Sequence, residues 1–268
     1  MSTIDQNTTE SQPSWEELLK SAVSEPGKIS EAYSMFHNYS MGNQILAMFQ
    51  CMLRNIQPGP LATFPGWKKK GRYVKAGSKA ITLCMPVTIK GKQVKVDSYT
   101  LEETEEETCF TKFVYRRNWF VLSQTDGAAY VQEDPPAWDH AKALETLGIT
   151  ETEFALMNGN VMGYAQHKEI AVNPLNPNPD KTRFHELAHI LLGHTKEGNQ
   201  ESDTQNIPRS LKEAEAEAVS LLCLASLNMT GQDECRGYIQ NWYGLAPIPE
   251  KSAQRIFKAA DQILKAGR

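Results

Sequence analysis

The stretch FHELAHILLGH, Phe184 to His194, decides how this chain is read. His185 and His189 stand four residues apart, with Glu186 beside the first. A helix turns about 100° per residue, so positions i and i+4 share a face. Folded as a helix, the stretch offers two imidazoles to one cation, and Glu186 can serve as general base toward a water that the cation activates. Phe184, Leu187, Ala188, Leu191 and Leu192 make the rest of the helix apolar, which predicts its burial. An ordinary amphipathic helix would leave such buried histidines in need of other partners.

Two imidazoles do not complete a zinc site. Downstream, LKEAEAEAVSLLC (Leu211–Cys223) supplies Glu213, Glu215 and Glu217 at the head of an apolar helical run. Three glutamates at alternate positions cannot all face water on one helix. At least one turns inward, where a cation makes its burial tolerable. Spacing alone leaves the three open. The three-histidine pattern wants its last histidine six residues after the second, with glycine at the third. Here Gly193 and His194 fall at the fourth and fifth. His194 is therefore expected as a helix-terminus residue favoured by the dipole, and the site as one with a glutamate ligand.

Working outward, the elements are punctuated by caps and breakers. Ser14 with Glu17 forms a capping box for a first helix ending near Pro26-Gly27, a second helix runs to about His37, and MGNQILAMFQCMLRN has helical spacing. QPGPLATFPGWKKKGRYVKAGSKA reads as loop. From Ala80 strands take over. ITLCMPVTIK and QVKVDSYTL form a hairpin about a Gly91-Lys92 turn, CFTKFVYRR and NWFVLSQT add two strands, and the five glutamates within 102–107 sit at a solvated hairpin tip. EDPPAW marks a domain boundary near 130. Beyond it come a helix from Asp139 to Leu147, a helix capped by Thr150 with Glu153, the strands VMGYAQ and EIAVNP, the HExxH helix capped by Asp180 and ended by Gly193, a helix from Ser210 to Leu227, and two more helices. The expected fold class is α+β: N-terminal helices plus a small antiparallel sheet, then a second domain built around the HExxH helix. The expected division is a polar lead-in over 1–13, a first domain over 14–130 and a second over 131–268.

With 268 residues, 40% apolar and 22% charged, the chain is globular and long enough for one large core or two modest ones. Its net charge of −4 conceals an asymmetry: no acid lies between Glu31 and Asp97, while ten Lys and Arg do. Such a surface suits a polyanion. Single-strand binders combine a basic groove with aromatic platforms. Phe36, Tyr39, Phe64, Trp67 and Tyr73 interleave with Arg54, Lys68, Lys69, Lys70, Arg72 and Lys75, and Asn38 and Asn43 lie near enough to meet bases or phosphates. The competing reading places Phe36, Tyr39 or Trp67 in the core. Cys51, Cys84, Cys109, Cys223 and Cys235 are odd in number and form no CxxC pair, as expected of reduced thiols in a cytoplasmic protein. No apolar run reaches membrane-spanning length, and the N-terminus lacks the pattern of a signal peptide.

Taken together, FHELAHILLGH, RSLKEAEAEAVSLLC, GYIQNW and IPEKSAQRIFKAADQIL resemble the zincin-type domain of ArdC-like antirestriction proteins. EAYSMFHNYSMGNQILAMFQ and GPLATFPGWKKKGRYVKAGSKAI resemble the single-stranded-DNA-binding domain of the same family. The resemblance implies a protein that coats incoming mobile-element DNA, as in plasmid conjugation, and shields it from host restriction. It implies a metallopeptidase-type site holding zinc, with manganese as the alternative, and a protein substrate as a further partner. In the related zincin pattern the ligand glutamate precedes an alanine, which carries the third-ligand role to Glu215, with Glu217 next in line. Two other functions fit the residues: a DNA-dependent metalloprotease acting on DNA-associated proteins, and a regulatory protease of the ImmA/IrrE type.

Overall fold

The computed structural model describes residues 12–96, 103–155, 160–195, 207–244 and 246–268. In chain order the elements are α1 (Trp15–Ser24), α2 (Lys28–Phe36), α3 (Met41–Leu53), β1 (Leu61–Thr63), α4 (Phe64–Lys69), β2 (Arg72–Val74), β3 (Ile81–Val96), β4 (Glu103–Val121), β5 (Thr125–Gly127), α5 (His140–Leu147), β6 (Thr150–Thr152), β7 (Gly163–Gln166), β8 (Glu169–Val172), α6 (Pro179–Leu191), α7 (Arg209–Ser226), α8 (Gln232–Tyr243) and α9 (Glu250–Ala266). This is the mixed α+β chain that the periodicities predict. Most of the expected lead-in, 1–11, lies outside the described residues.

Packing divides the chain into one unit of residues 1–49 with 133–268 and another of 50–132. The expected first domain, 14–130, is thus shared between the two units. The reason is in the side chains of α1 and α2. Leu18, Leu19, Ala22 and Val23 of α1 are fully buried, and α1 packs on α8 and α9. Trp15 meets Phe257 edge-on at 5.8 Å, Arg236 donates to the Val23 carbonyl, and the Met41 amide donates to Asp261 at 3.1 Å. At the centre of this unit α7 is apolar on nearly every side and packs against α2, α6, α8 and α9. A small sheet of order β6-β8-β7 completes it, with β6 parallel and β7 antiparallel to β8. The helix expected after Thr150 is strand β6 instead, because Thr150–Thr152 finds ladder partners in Glu169–Ala171. The HExxH helix α6 starts at Asn178 with Pro179 in its first turn, and Asp180 is one residue inside it rather than its cap.

In the second unit β3 and β4 form one long antiparallel hairpin, paired from Ile81↔Trp119 to Val96↔Glu103. The expected Gly91-Lys92 turn is absent; both residues pair across the ladder, opposite Thr108 and Glu107. A two-residue turn needs residues tolerant of positive φ, which lysine is not. The glutamates expected at a tip belong to strand β4 from Glu103 on, while Glu102 lies outside the described residues. β1 pairs on the other side of β4, over Trp119–Val121 only. The segment read as loop contains β1, α4 and β2. Thr63 caps α4 by accepting from the Gly66 amide at 3.2 Å, and the helix drives Trp67 inward.

Candidate metal centre

On α6 the four-residue spacing brings His185 Nε2 and His189 Nε2 to 3.0 Å. Across from them α7 presents Glu213, whose Oε2 lies 3.3 Å from His185 Nε2 and 3.7 Å from His189 Nε2. Three donors around one tetrahedral zinc at its usual bond lengths stand about 3.3 Å apart. The three atoms therefore already describe the base of such a site, and their donor types suit a divalent cation. The neighbouring imidazoles of His185 and then His189 hold the Glu213 carboxyl well below its ordinary range.

Glu186 is buried beside this cluster, 8% exposed. Burial first, and then repulsion from Glu213, pushes its carboxyl up to about 7, although His189 opposes the shift. Strand β7 passes close by. A Cβ on Gly163 would stand 2.4 Å from Thr182 Cγ2 and 3.4 Å from Glu186 Cγ, so only glycine allows the strand this near the helix. Gly163, Tyr164, His185, Glu186, His189 and Glu213 all line one open cleft of about 840 Å³.

Glu217, one turn beyond Glu213, serves the outer edge of the site. Its Oε1 accepts from Lys181 at 2.9 Å and lies 3.5 Å from His185 Nδ1, the ring nitrogen away from the cluster. Burial opposes it, but Glu217 still holds the Lys181 ammonium above its ordinary range.

Glu215, expected as the third ligand, lies elsewhere. It is fully buried, with Oε2 2.8 Å from His194 Nε2 and Oε1 3.8 Å from Arg255. Positions 213 and 217 share a face of α7, whereas 215 is rotated about 200° from 213. That wheel geometry was the available signal, and it points to the pair 213/217. His194 follows the end of α6, its amide donating to the His189 carbonyl at 2.8 Å, but its side chain is buried, 2% exposed, and burial holds its imidazole below the ordinary value.

The residues expected to meet DNA are dispersed. Asn38 is exposed, Tyr39 half-buried and Asn43 buried, all in the first unit. Trp67 is fully buried, donating from its indole to the Phe120 carbonyl at 2.8 Å and meeting Tyr130 edge-on at 5.4 Å; it is core and presents no free ring face. Arg72 is fixed by Thr125, through the hydroxyl at 2.8 Å and the carbonyl at 2.9 Å, and by the Ala128 carbonyl. Lys68, Lys69, Lys70 and Lys75 are exposed, Lys70 lying over the Tyr130 ring and Lys75 pairing with Asp126 at 3.4 Å. Among the described residues of the second unit, the aromatics that face solvent are Phe64 and Tyr73 and, on β4, Phe110, Phe113 and Tyr115, the last three at 54%, 65% and 43% exposure. The β4 set was missed because a run of mixed aromatic and basic residues reads as strand before it reads as surface.

Comparison with known proteins matches residues 1–118 to the N-terminal domain of anti-restriction factor ArdC, and residues 145–233 to the IrrE N-terminal-like domain. No curated protein matches the chain. Among solved structures, the antirestriction ArdC protein from plasmid R388 is similar in its Mn(II)-bound form, at 16% identity over 94% of this chain and 97% of that one, with a TM-score of 0.50. Its metal-free form is 18% identical over 94% of each chain, with a TM-score of 0.48. At 16% identity the likeness to the Mn(II)-bound form speaks to the fold alone. Along the chain, then, a region similar to the N-terminal domain of anti-restriction factor ArdC is followed by one similar to the IrrE N-terminal-like domain.

Proposed function

We propose that this protein binds single-stranded DNA, shields incoming DNA from restriction, and carries a working metallopeptidase centre. The observation behind the enzymatic half is the joint placement of three metal donors, a buried carboxylate and a strand edge in one cleft. His185, His189 and Glu213 would hold a divalent cation, which supplies Lewis acidity toward a peptide carbonyl. Two imidazoles and one carboxylate favour zinc, with manganese as the alternative. Glu186 would take the proton of the attacking water and deliver it to the leaving amine, a task its place in the cleft beside the donors allows. β7 is the outer strand of its sheet and lines the cleft, so an extended peptide can pair along it.

The DNA-binding half is supported by exposed cations and rings. Lys68, Lys69 and Lys70 are exposed, as are Phe64 and Tyr73. On the hairpin, residues 81–90 and 109–121 hold Lys90, Lys112, Arg116 and Arg117 and no acid. Phe113 and Tyr115, two apart on β4, share a face of the ribbon. Stacking on such rings requires unpaired bases, while the cations meet phosphate in either form of DNA.

A titration of the whole chain with single-stranded and duplex DNA, beside a metal analysis, tests both halves. Tighter single-strand binding and one divalent ion per chain are expected; equal affinity for the two DNA forms sinks the stacking reading. The second reading, a DNA-dependent protease, is favoured by Glu186, which a structural metal would not require. A Glu186→Gln chain that still protects DNA supports shielding; one that binds DNA but no longer protects it supports proteolysis as the main role.

A further inference from the structure

The residue that proved not to face the metal donors has a place behind them. We infer that His194 and Glu215 are positioning residues for His189, acting as a buried relay; this rests on the proposed metal centre. The links are three. His189 Nδ1 lies 2.9 Å from His194 Nδ1, and His194 Nε2 lies 2.8 Å from Glu215 Oε2. Beyond, Arg255 stands 3.8 Å from Glu215 Oε1 and donates to the Leu192 carbonyl at 2.5 Å.

The tautomers follow from the chain of bonds. An imidazole that offers Nε2 to a cation keeps its proton on Nδ1. His189 therefore donates to His194 Nδ1, which must be the acceptor. The His194 proton is then on Nε2 and is donated to the Glu215 carboxylate. Each bond fixes the tautomer of the next ring, and the carboxylate at the end fixes the direction. His194 and Glu215 are buried, at 2% and 0% side-chain exposure, so water does not compete for these bonds. The backbone enforces the arrangement: Gly193 adopts φ 75°, and the His194 amide folds back to donate to the His189 carbonyl at 2.8 Å. The two donor imidazoles thus have different surroundings on their Nδ1 side. His185 faces the Glu217 carboxylate directly, whereas His189 reaches its carboxylate through a second imidazole.

The test is a zinc titration of the metal-free full-length chain against a competing chelator, with His194→Ala and Glu215→Gln. Both should still bind one zinc, 10–100-fold more weakly than the wild type, as is usual when an outer partner of a metal-bound histidine is removed. In the cobalt(II)-substituted protein the absorption bands should shift without disappearing, and the His189 Nδ1 proton should lose its exchange protection in His194→Ala. Melting of the metal-free variants controls for folding; Glu215→Gln is nearly isosteric and keeps the question open to measurement should His194→Ala unfold. Unchanged zinc affinity in both variants overturns the relay. So does outright loss of zinc in Glu215→Gln with normal binding in His194→Ala, which would make Glu215 a ligand. A wild-type chain that binds no zinc overturns the metal centre itself, and the relay with it.

Discussion

At the HExxH helix, charge is half-buried and paired; on the β3–β4 ribbon it is spread out and wet. His185, His189, Glu213 and Glu217 each lie within 4 Å of an ionisable partner, whereas Phe113, Tyr115, Arg116 and Arg117 are all exposed. The difference teaches what each site can tolerate. A centre built from distances of about 3 Å fails when one atom moves, because a cation needs all its donors at once. A surface built from exposed rings and cations degrades gradually, since each group adds its own increment.

The sharpest break is at Glu213. Glu213→Ala leaves two imidazoles, and dialysed protein should retain no stoichiometric zinc; retention at one ion per chain would return the third-ligand role to a neighbour on α7. Next comes Trp67, which belongs with the buried class although it lies in the basic stretch. Trp67→Ala should cost roughly 3–5 kcal/mol of stability, read as a lowered melting temperature, with single-strand affinity intact below the melt. Weakened binding without loss of stability would restore the ring to the DNA surface.

A pH comparison sharpens the metal-centre side. The folded value for Glu186 is about 7, above the ordinary 4.5, so the folded metal-free chain holds this proton through that window and loses stability as pH rises through it. Glu186→Gln lacks this cost. The stability gap between the variant and the wild type should grow from near zero below pH 4.5 to roughly 3 kcal/mol above pH 7. A gap that is flat with pH would mean that the carboxylate is well solvated. The smallest effects belong to the ribbon: Phe113→Ala and Tyr115→Ala should each weaken single-strand binding by about 1–3 kcal/mol while the melting temperature stays put. Full affinity in both would remove the ribbon from the interface.

Helix α6 and its two histidines were legible in the sequence because one helical period sets both the motif and its geometry. The glutamate opposite them was not read correctly, because alternate spacing invites a strand-like count on an element whose period is 3.6. The 213/217 face could have been found by the wheel. The role of His194 could not, since it depends on the left-handed turn at Gly193 and on Arg255, far along the chain. Trp67 failed for another reason: a tryptophan followed by three lysines has the composition of a binding loop, and only the cap at Thr63 reveals a helix that turns the ring inward. The break near residue 130 was visible as EDPPAW, but no local signal says that α1 seeks α8 and α9 more than two hundred residues away.

That last attachment sets an order of events during synthesis. Residues 50–132 have left the ribosome's decoding site long before α9 is made; at roughly 5–20 residues per second the lag is about 7–27 s. Until α8 and then α9 are made, Leu18, Leu19, Ala22 and Val23 lack the helices that cover them in the finished chain. The unit with the metal donors is complete only when its last helix has been made. A message cut short within α9 removes one of the two helices on which the apolar face of α1 packs.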